Sequence, residues 1–156
     1  MRRIVERFLI AACAGLAACS SATEAGVPPV DILVNVDRTV VSPNSPVNVT
    51  ISITNRGTED VRVFDPRDYG CFAPYTVADR FGSAMELPGR ACFLVAYPNV
   101  MIAPGATMTL VDRWTGYRAN GDKSPVPASP GEYRFAARVF VDGAFRSSAG
   151  PTIVVQ

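Results

Sequence analysis

Residues 47–54 alternate without a break: Val47, Val49, Ile51 and Ile53 are apolar, while Asn48, Thr50, Ser52 and Thr54 are polar. A period of two places one face of a strand in a core and the other in water. Asn55-Arg56-Gly57-Thr58 follows as a turn, and Val61-Arg62-Val63-Phe64 resumes the alternation, so the pattern predicts a hairpin between the two segments. Further along, Met108, Leu110 and Trp114 share one parity, as do Tyr133, Phe135, Ala137, Val139 and Val141, which gives two more half-buried strands. Asp142-Gly143 turns the chain, and a last strand is expected at 152–155, with Gly150-Pro151 before it marking a bulge or an edge. Residues 32–36, 75–79 and shorter pieces near Met85 and Phe93 bring the expected total to about seven to nine strands. No amphipathic helix, repeat or low-complexity tract interrupts them. The fold class is therefore all-β, an antiparallel sandwich.

Ser129-Pro130-Gly131-Glu132-Tyr133 puts a tyrosine just inside a strand after a Pro-Gly turn, the arrangement of the tyrosine corner in immunoglobulin-like sandwiches. Its hydroxyl is expected to tie back the crossing chain. Residues 107–114 are then the strand before the crossing, residues 116–128 connect the two sheets, and Trp114 belongs to the core. Asp112 shares the parity of Leu110 and Trp114; a bulge turning it outward is expected, with a buried Asp bonded to backbone as the alternative.

Composition narrows the chemistry. The chain has 156 residues, enough for one domain with a proper core, and its net charge of +1 leaves no footprint for nucleic acid. Histidine is absent, so Ser-His-Asp and Cys-His nucleophiles and His-ligated zinc sites are excluded. Neither a glycine-rich phosphate loop nor a G-x-S-x-G elbow is present. No cofactor is expected, and no enzymatic activity. Asp65-Pro66-Arg67-Asp68 offers two loop carboxylates, too few for calcium, with Arg67 placed to pair one of them.

The N-terminus has a different character. Arg2 and Arg3 precede an uncharged apolar run over residues 8–18, the shape of a secretory signal peptide and too short for a spanning helix. Leu16-Ala17-Ala18-Cys19 resembles the lipobox of bacterial lipoproteins, which implies a signal peptide at 1–18, cleavage before Cys19 and lipidation of its sulfur; an ordinary signal peptidase site is the alternative. Removing residues 1–18 takes away Arg2, Arg3, Arg7 and Glu6 and moves the net charge from +1 to −1. Residues 19–29 then form a lipidated tether, residues 30–156 the sandwich, and the membrane becomes a partner through the lipid on Cys19. Ser20 after the cysteine favours the outer membrane, facing the periplasm or the cell surface. Cys13 departs with the leader, so Cys71 and Cys92 remain as a pair in an oxidising compartment, and a disulfide is expected, contributing roughly 3 kcal/mol. A redox or metal-binding dithiol is the alternative, without C-x-x-C spacing to support it.

The stretch from Val47 to Val141 resembles the intracellular proteinase inhibitor (BsuPI-like) family and related immunoglobulin-like domains of bacterial lipoproteins. The matching features are the alternating strand ending at Asn55-x-Gly57, Val77-x-Asp79-x-x-Gly82, Ile102-Ala103-Pro104-Gly105 leading to Trp114, and Pro130-Gly131-x-Tyr133. Ser83-Ala84-Met85-Glu86-Leu87 departs from the aromatic, serine-rich stretch of that family, and Cys71 and Cys92 are additional. The resemblance implies the fold and, as an alternative function, protease inhibition. The expected function is a non-catalytic binding or structural module on the envelope, with an envelope protein or a protease as partner. Residues 116–128, carrying Tyr117, Arg118 and Lys123 among prolines, are the candidate partner loop.

Overall fold

The computed structural model describes residues 29–42, 45–64, 73–89 and 99–156. These residues contain no helix and eleven strands, arranged as two packed sheets and a small hairpin. The excess over nine comes from short pieces: β2 (Val40–Val41) has two residues, and β8 (Tyr117–Ala119) and β9 (Pro125–Pro127) have three each.

The first sheet has β3 (Val47–Asn55) at its centre, between β1 (Val30–Val36) and β7 (Thr107–Trp114). Ile51 lies opposite Val34 on one side and Leu110 on the other, so the apolar parity of β3 meets apolar partners across the sheet. The second sheet is built on β10 (Gly131–Val141). One edge of β10 pairs with β11 (Ala144–Val155); the other is shared by β5 (Tyr75–Asp79), along residues 133–137, and β4 (Val61–Phe64), at residues 140–141. β6 (Asn99–Ile102) extends β4, and β2 joins β11 in the one parallel pairing among the described strands.

Every apolar residue of the predicted parity in β3 and β10 is buried. Trp114 fills the gap between sheets, its ring 5.6 Å edge-on from Phe135 and 6.1 Å from Tyr133, while Tyr75 lies 5.5 Å from Phe135. Such pairs add about 0.5–1.5 kcal/mol each beyond the area they remove from water.

Three expectations need correction. The segments 47–54 and 61–64 are not a hairpin: β3 belongs to the first sheet and β4 to the second. The cause is Asn55, the one buried polar residue among those described. Its Nδ2 donates to the carbonyls of Glu59 (2.7 Å) and Ile102 (2.8 Å), and its Oδ1 accepts from Gly57 N–H at 2.8 Å. Those bonds swing the chain across the sandwich instead of back along β3. Secondly, β7 pairs β3 residue for residue from Thr107 to Trp114 with no bulge. Asp112 keeps the core parity and is half-buried. Thirdly, the piece near Met85 is only a bridge between Ala84 and Ala78; the piece near Phe93 lies outside the described residues.

The bulge at Gly150-Pro151 is present, inside a strand that starts earlier than the pattern indicated. Arg134 faces Thr152 and Ala136 faces Ala149, so Phe135 alone is matched by both Gly150 and Pro151. A Cβ on Gly150 would sit 2.9 Å from Val34 Cβ and 3.0 Å from the Phe135 carbonyl oxygen, so the Val34 side chain of the first sheet packs directly on the Gly150 backbone of the second.

Candidate functional site

At one end of the sandwich β5 finishes, β10 begins and the β7-to-β10 crossing passes over. The turn after β5 is fixed by Asp79, whose Oδ1 accepts the N–H groups of Phe81 and Ser83, both at 2.9 Å. Gly82 N–H bonds to the Asp79 carbonyl at 3.0 Å, and Gly82 takes a φ of +83°, which suits a residue without Cβ. The Asp79-x-x-Gly82 spacing is thus turn chemistry. Its consequence is a rigid tip: Phe81 is 77% exposed, and the Arg80 guanidinium lies 4.6 Å from its ring centroid.

The crossing, residues 116–128, folds into the β8–β9 hairpin. Its base is closed by Ala128 N–H to Gly116 O (2.8 Å), and the Trp114 indole N–H donates to Tyr117 O at 3.0 Å. At its tip Asp122 accepts from the Ser124 hydroxyl (2.6 Å) and N–H (3.0 Å), which hold its carboxyl below the ordinary value. The hairpin is sewn to the turn segment by Ala119 N–H to Glu86 O at 2.7 Å and by the Lys123–Glu86 ion pair. Tyr133 donates its hydroxyl to Ser129 O at 2.8 Å, the tyrosine corner that the sequence indicates.

Between these three segments runs a groove of about 590 Å³, lined by the turn from Asp79 to Glu86, by Arg118 and Ala119, and by residues 129–133. Ala84, Met85, Ala119 and Pro130 supply apolar surface; Arg80, Arg118, Glu86 and Glu132 supply charge. Glu86 is engaged by Lys123, and the Asp79 carboxylate by backbone. Arg118 is exposed and has no ion pair among the described residues.

Of the predicted loop residues, Arg118 lines the groove and Lys123 borders it through Glu86. Tyr117 is half-buried rather than exposed, and its carbonyl accepts the Trp114 indole N–H. Arg80, Phe81 and Glu132 were not singled out by the sequence; Asp79-x-x-Gly82 was the signal that could have placed an exposed tip at 80–81. Cys19, Cys71, Cys92 and the Asp65-to-Asp68 loop lie outside the described residues. Among the described residues no group of three or more His, Cys, Asp or Glu side chains could hold a metal ion.

No family model matches this chain, and no curated protein matches it. Solved structures do. A β-glucosidase from Erythrobacter marinus aligns at 12% identity over 83% of this chain and 16% of its own, with a TM-score of 0.47. The DNA glycosylase AlkC of Pseudomonas fluorescens, bound to DNA with an abasic site analogue, aligns at 14% identity over 83% of this chain and 31% of its own (TM-score 0.48). The CARDB domain of the PF1109 protein from Pyrococcus furiosus, in complex with di-metal ions, aligns at 14% identity over 83% of this chain and 89% of that one (TM-score 0.46). The chain thus spans a sixth to a third of the first two enzymes, and nothing about its own chemistry follows from them.

Proposed function

We propose that this chain is a bacterial envelope lipoprotein, anchored through Cys19, whose sandwich is a non-catalytic binding module with the end groove as its contact surface. The observation that carries the proposal is the tip at Arg80 and Phe81. An aromatic side chain left 77% exposed on a turn held by four hydrogen bonds has little freedom left to lose on binding. Aromatic and arginine side chains are also the residues that most often dominate binding energy. The carboxylates around the groove are largely committed to turn and ion-pair duties, which favours binding over acid–base chemistry.

Binding is favoured over the protease inhibition that the family resemblance implies. A segment that occupies a protease cleft runs extended, whereas residues 116–128 close into a hairpin with Lys123 at a φ of 69°. Two experiments test the proposal. Mass spectrometry of the envelope form is expected to show a diacylglyceryl group on residue 19; a mature form starting elsewhere would overturn the anchor. A photo-cross-linker at position 81 in intact envelopes is expected to trap one defined protein partner, lost on Arg80→Ala with Arg118→Ala. Stoichiometric inhibition of trypsin-like or subtilisin-like proteases, abolished by changes in 116–128, would replace the binding reading with the inhibitory one.

A further inference from the structure

The outer face of the second sheet carries a different surface at the opposite end. Phe140 and Phe145 face each other across β10 and β11 with ring centroids 5.1 Å apart, and the Arg138 guanidinium lies 4.6 Å from the Phe145 ring centroid. Phe145 is 63% exposed. One strand over, Arg62 of β4 is paired with Met101 of β6, which is 52% exposed. Neither Arg62 nor Arg138 forms an ion pair among the described residues. Asp142, just past the end of β10, has its Oδ1 on the Arg62 N–H at 2.9 Å, exposed Asp60 lies two residues before Arg62, and Glu132 is at the far end of β10. The face of the first sheet is unlike it: there Asp31 is paired with Arg56 and Asp37 with Arg38.

The Met101 edge of this patch lies at the end of the sandwich where the described chain begins. Pro29 O accepts from Arg56 N–H, Val30 pairs with Asn55, and the Asn55 side chain bonds to Ile102, the residue after Met101. From Cys19 to Pro29 the chain reaches at most about 36 Å. We infer that Phe145, Met101, Arg62 and Arg138 form a foot that rests on the anionic lipid headgroups of the membrane to which Cys19 is anchored. The inference rests on the lipoprotein reading for its geometry. Exposed apolar side chains interleaved with guanidinium groups that form no ion pair match an interface where acyl chains and phosphates alternate on a small scale, and no concavity is needed.

The test uses the chain from residue 19 onward with Cys19→Ser, so that no acyl group contributes, and vesicles of phosphatidylcholine with or without phosphatidylglycerol at millimolar lipid. Cosedimentation is expected with the anionic vesicles and not with the neutral ones, fading as salt rises. Arg62→Gln and Arg138→Gln should each weaken it about five-fold, and Phe145→Ser with Met101→Ser further, with unchanged circular dichroism. Arg113→Gln, which removes a cation from the outer face of the first sheet, should leave it unchanged. No sedimentation, equal sedimentation with neutral vesicles, or an equal loss on Arg113→Gln would overturn the foot. Because the acyl group is absent, these outcomes are separate from those for the anchor: a lipid adduct on Cys19 without vesicle binding removes the foot alone, and vesicle binding without the adduct removes the anchor alone.

Discussion

Replacing Asn55 by Ala tests how the chain passes from one sheet to the other. Asn55 is fully buried and its side chain makes three hydrogen bonds, to Glu59 O, Ile102 O and Gly57 N–H. Ile102 is buried as well, so its carbonyl would lose that donor without gaining water, at about 1–3 kcal/mol. Glu59 is exposed and Gly57 half-buried; water reaches both, and their bonds contribute about 1 kcal/mol each. The expected loss is about 3–5 kcal/mol, which for a sandwich of this size lowers Tm by roughly 12–20 °C. Thermal melting followed by circular dichroism measures it. Asn55→Asp gives a second readout with a defined sign. It keeps the acceptor for Gly57 and faces two carbonyls with an oxygen, so burial and repulsion raise the introduced carboxyl's folded-state pKa above its unfolded value near 3.9. Its penalty is then complete above the folded-state pKa and is relieved as pH falls through it, so this variant alone should gain stability on mild acidification. A loss below about 1 kcal/mol for Asn55→Ala, or an Asp variant whose deficit does not shrink with acid, would refute the assignment of the crossing to Asn55.

Three other perturbations probe separate parts of the fold. Gly150→Ala should destabilise by about 1–3 kcal/mol, because the new methyl would stand 2.9 Å from Val34 Cβ and 3.0 Å from a backbone oxygen. Adding Val34→Ala, which removes Cγ1 but leaves Cβ, should restore only part of that in a chemical denaturation series; full restoration would mean that the backbone had moved. Tyr133→Phe removes the bond to Ser129 O and should cost about 1 kcal/mol by the same measurement, while a neutral result would deny the corner any stabilising role. Asp122 has a folded-state pKa held below the ordinary 3.8, so its support of the β8–β9 tip is complete above that value and is lost as pH falls through the depressed one. Amide exchange at Ser124 should therefore gain protection between strongly acidic pH and about 4, and Asp122→Asn should flatten the profile.

The strand cores were legible because burial acts on every second residue and leaves a period in the sequence. Val47 to Ile53 and Tyr133 to Val141 carry that period, and the structure buries the residues it marks. Partnership between strands was less legible. β3 and β4 have matching alternation and a turn between them, and a hairpin satisfies both; only the side-chain bonds of one buried asparagine separate that outcome from a crossing. β8 and β9 could not be seen at all, since strands of three residues, one of them with two prolines, show no period, and β8 is held by the carbonyl of Glu86, distant in sequence.

The groove was hidden for a related reason. It is assembled from three segments separated by thirty residues or by the breadth of a hairpin, and its exposed members, Arg80 and Phe81, obey no periodicity because nothing buries them. What the sequence does carry is the set of polar residues that cap turns. Asp79 aims the tip at 80–81, Asp122 closes the hairpin that brings in Arg118, Tyr133 fixes the floor at Ser129, and Asn55 orders the opposite end, where the chain enters. Each of these side chains is spent on backbone and so is removed from the list of candidates for chemistry. In a chain without histidine the polar residues that look most like catalysts are then the ones that shape loops, and on the proposed binding reading contact falls to the arginines and aromatics those loops hold out. Exchanging Phe81 should therefore change binding without changing stability, whereas exchanging Asp79 should change both.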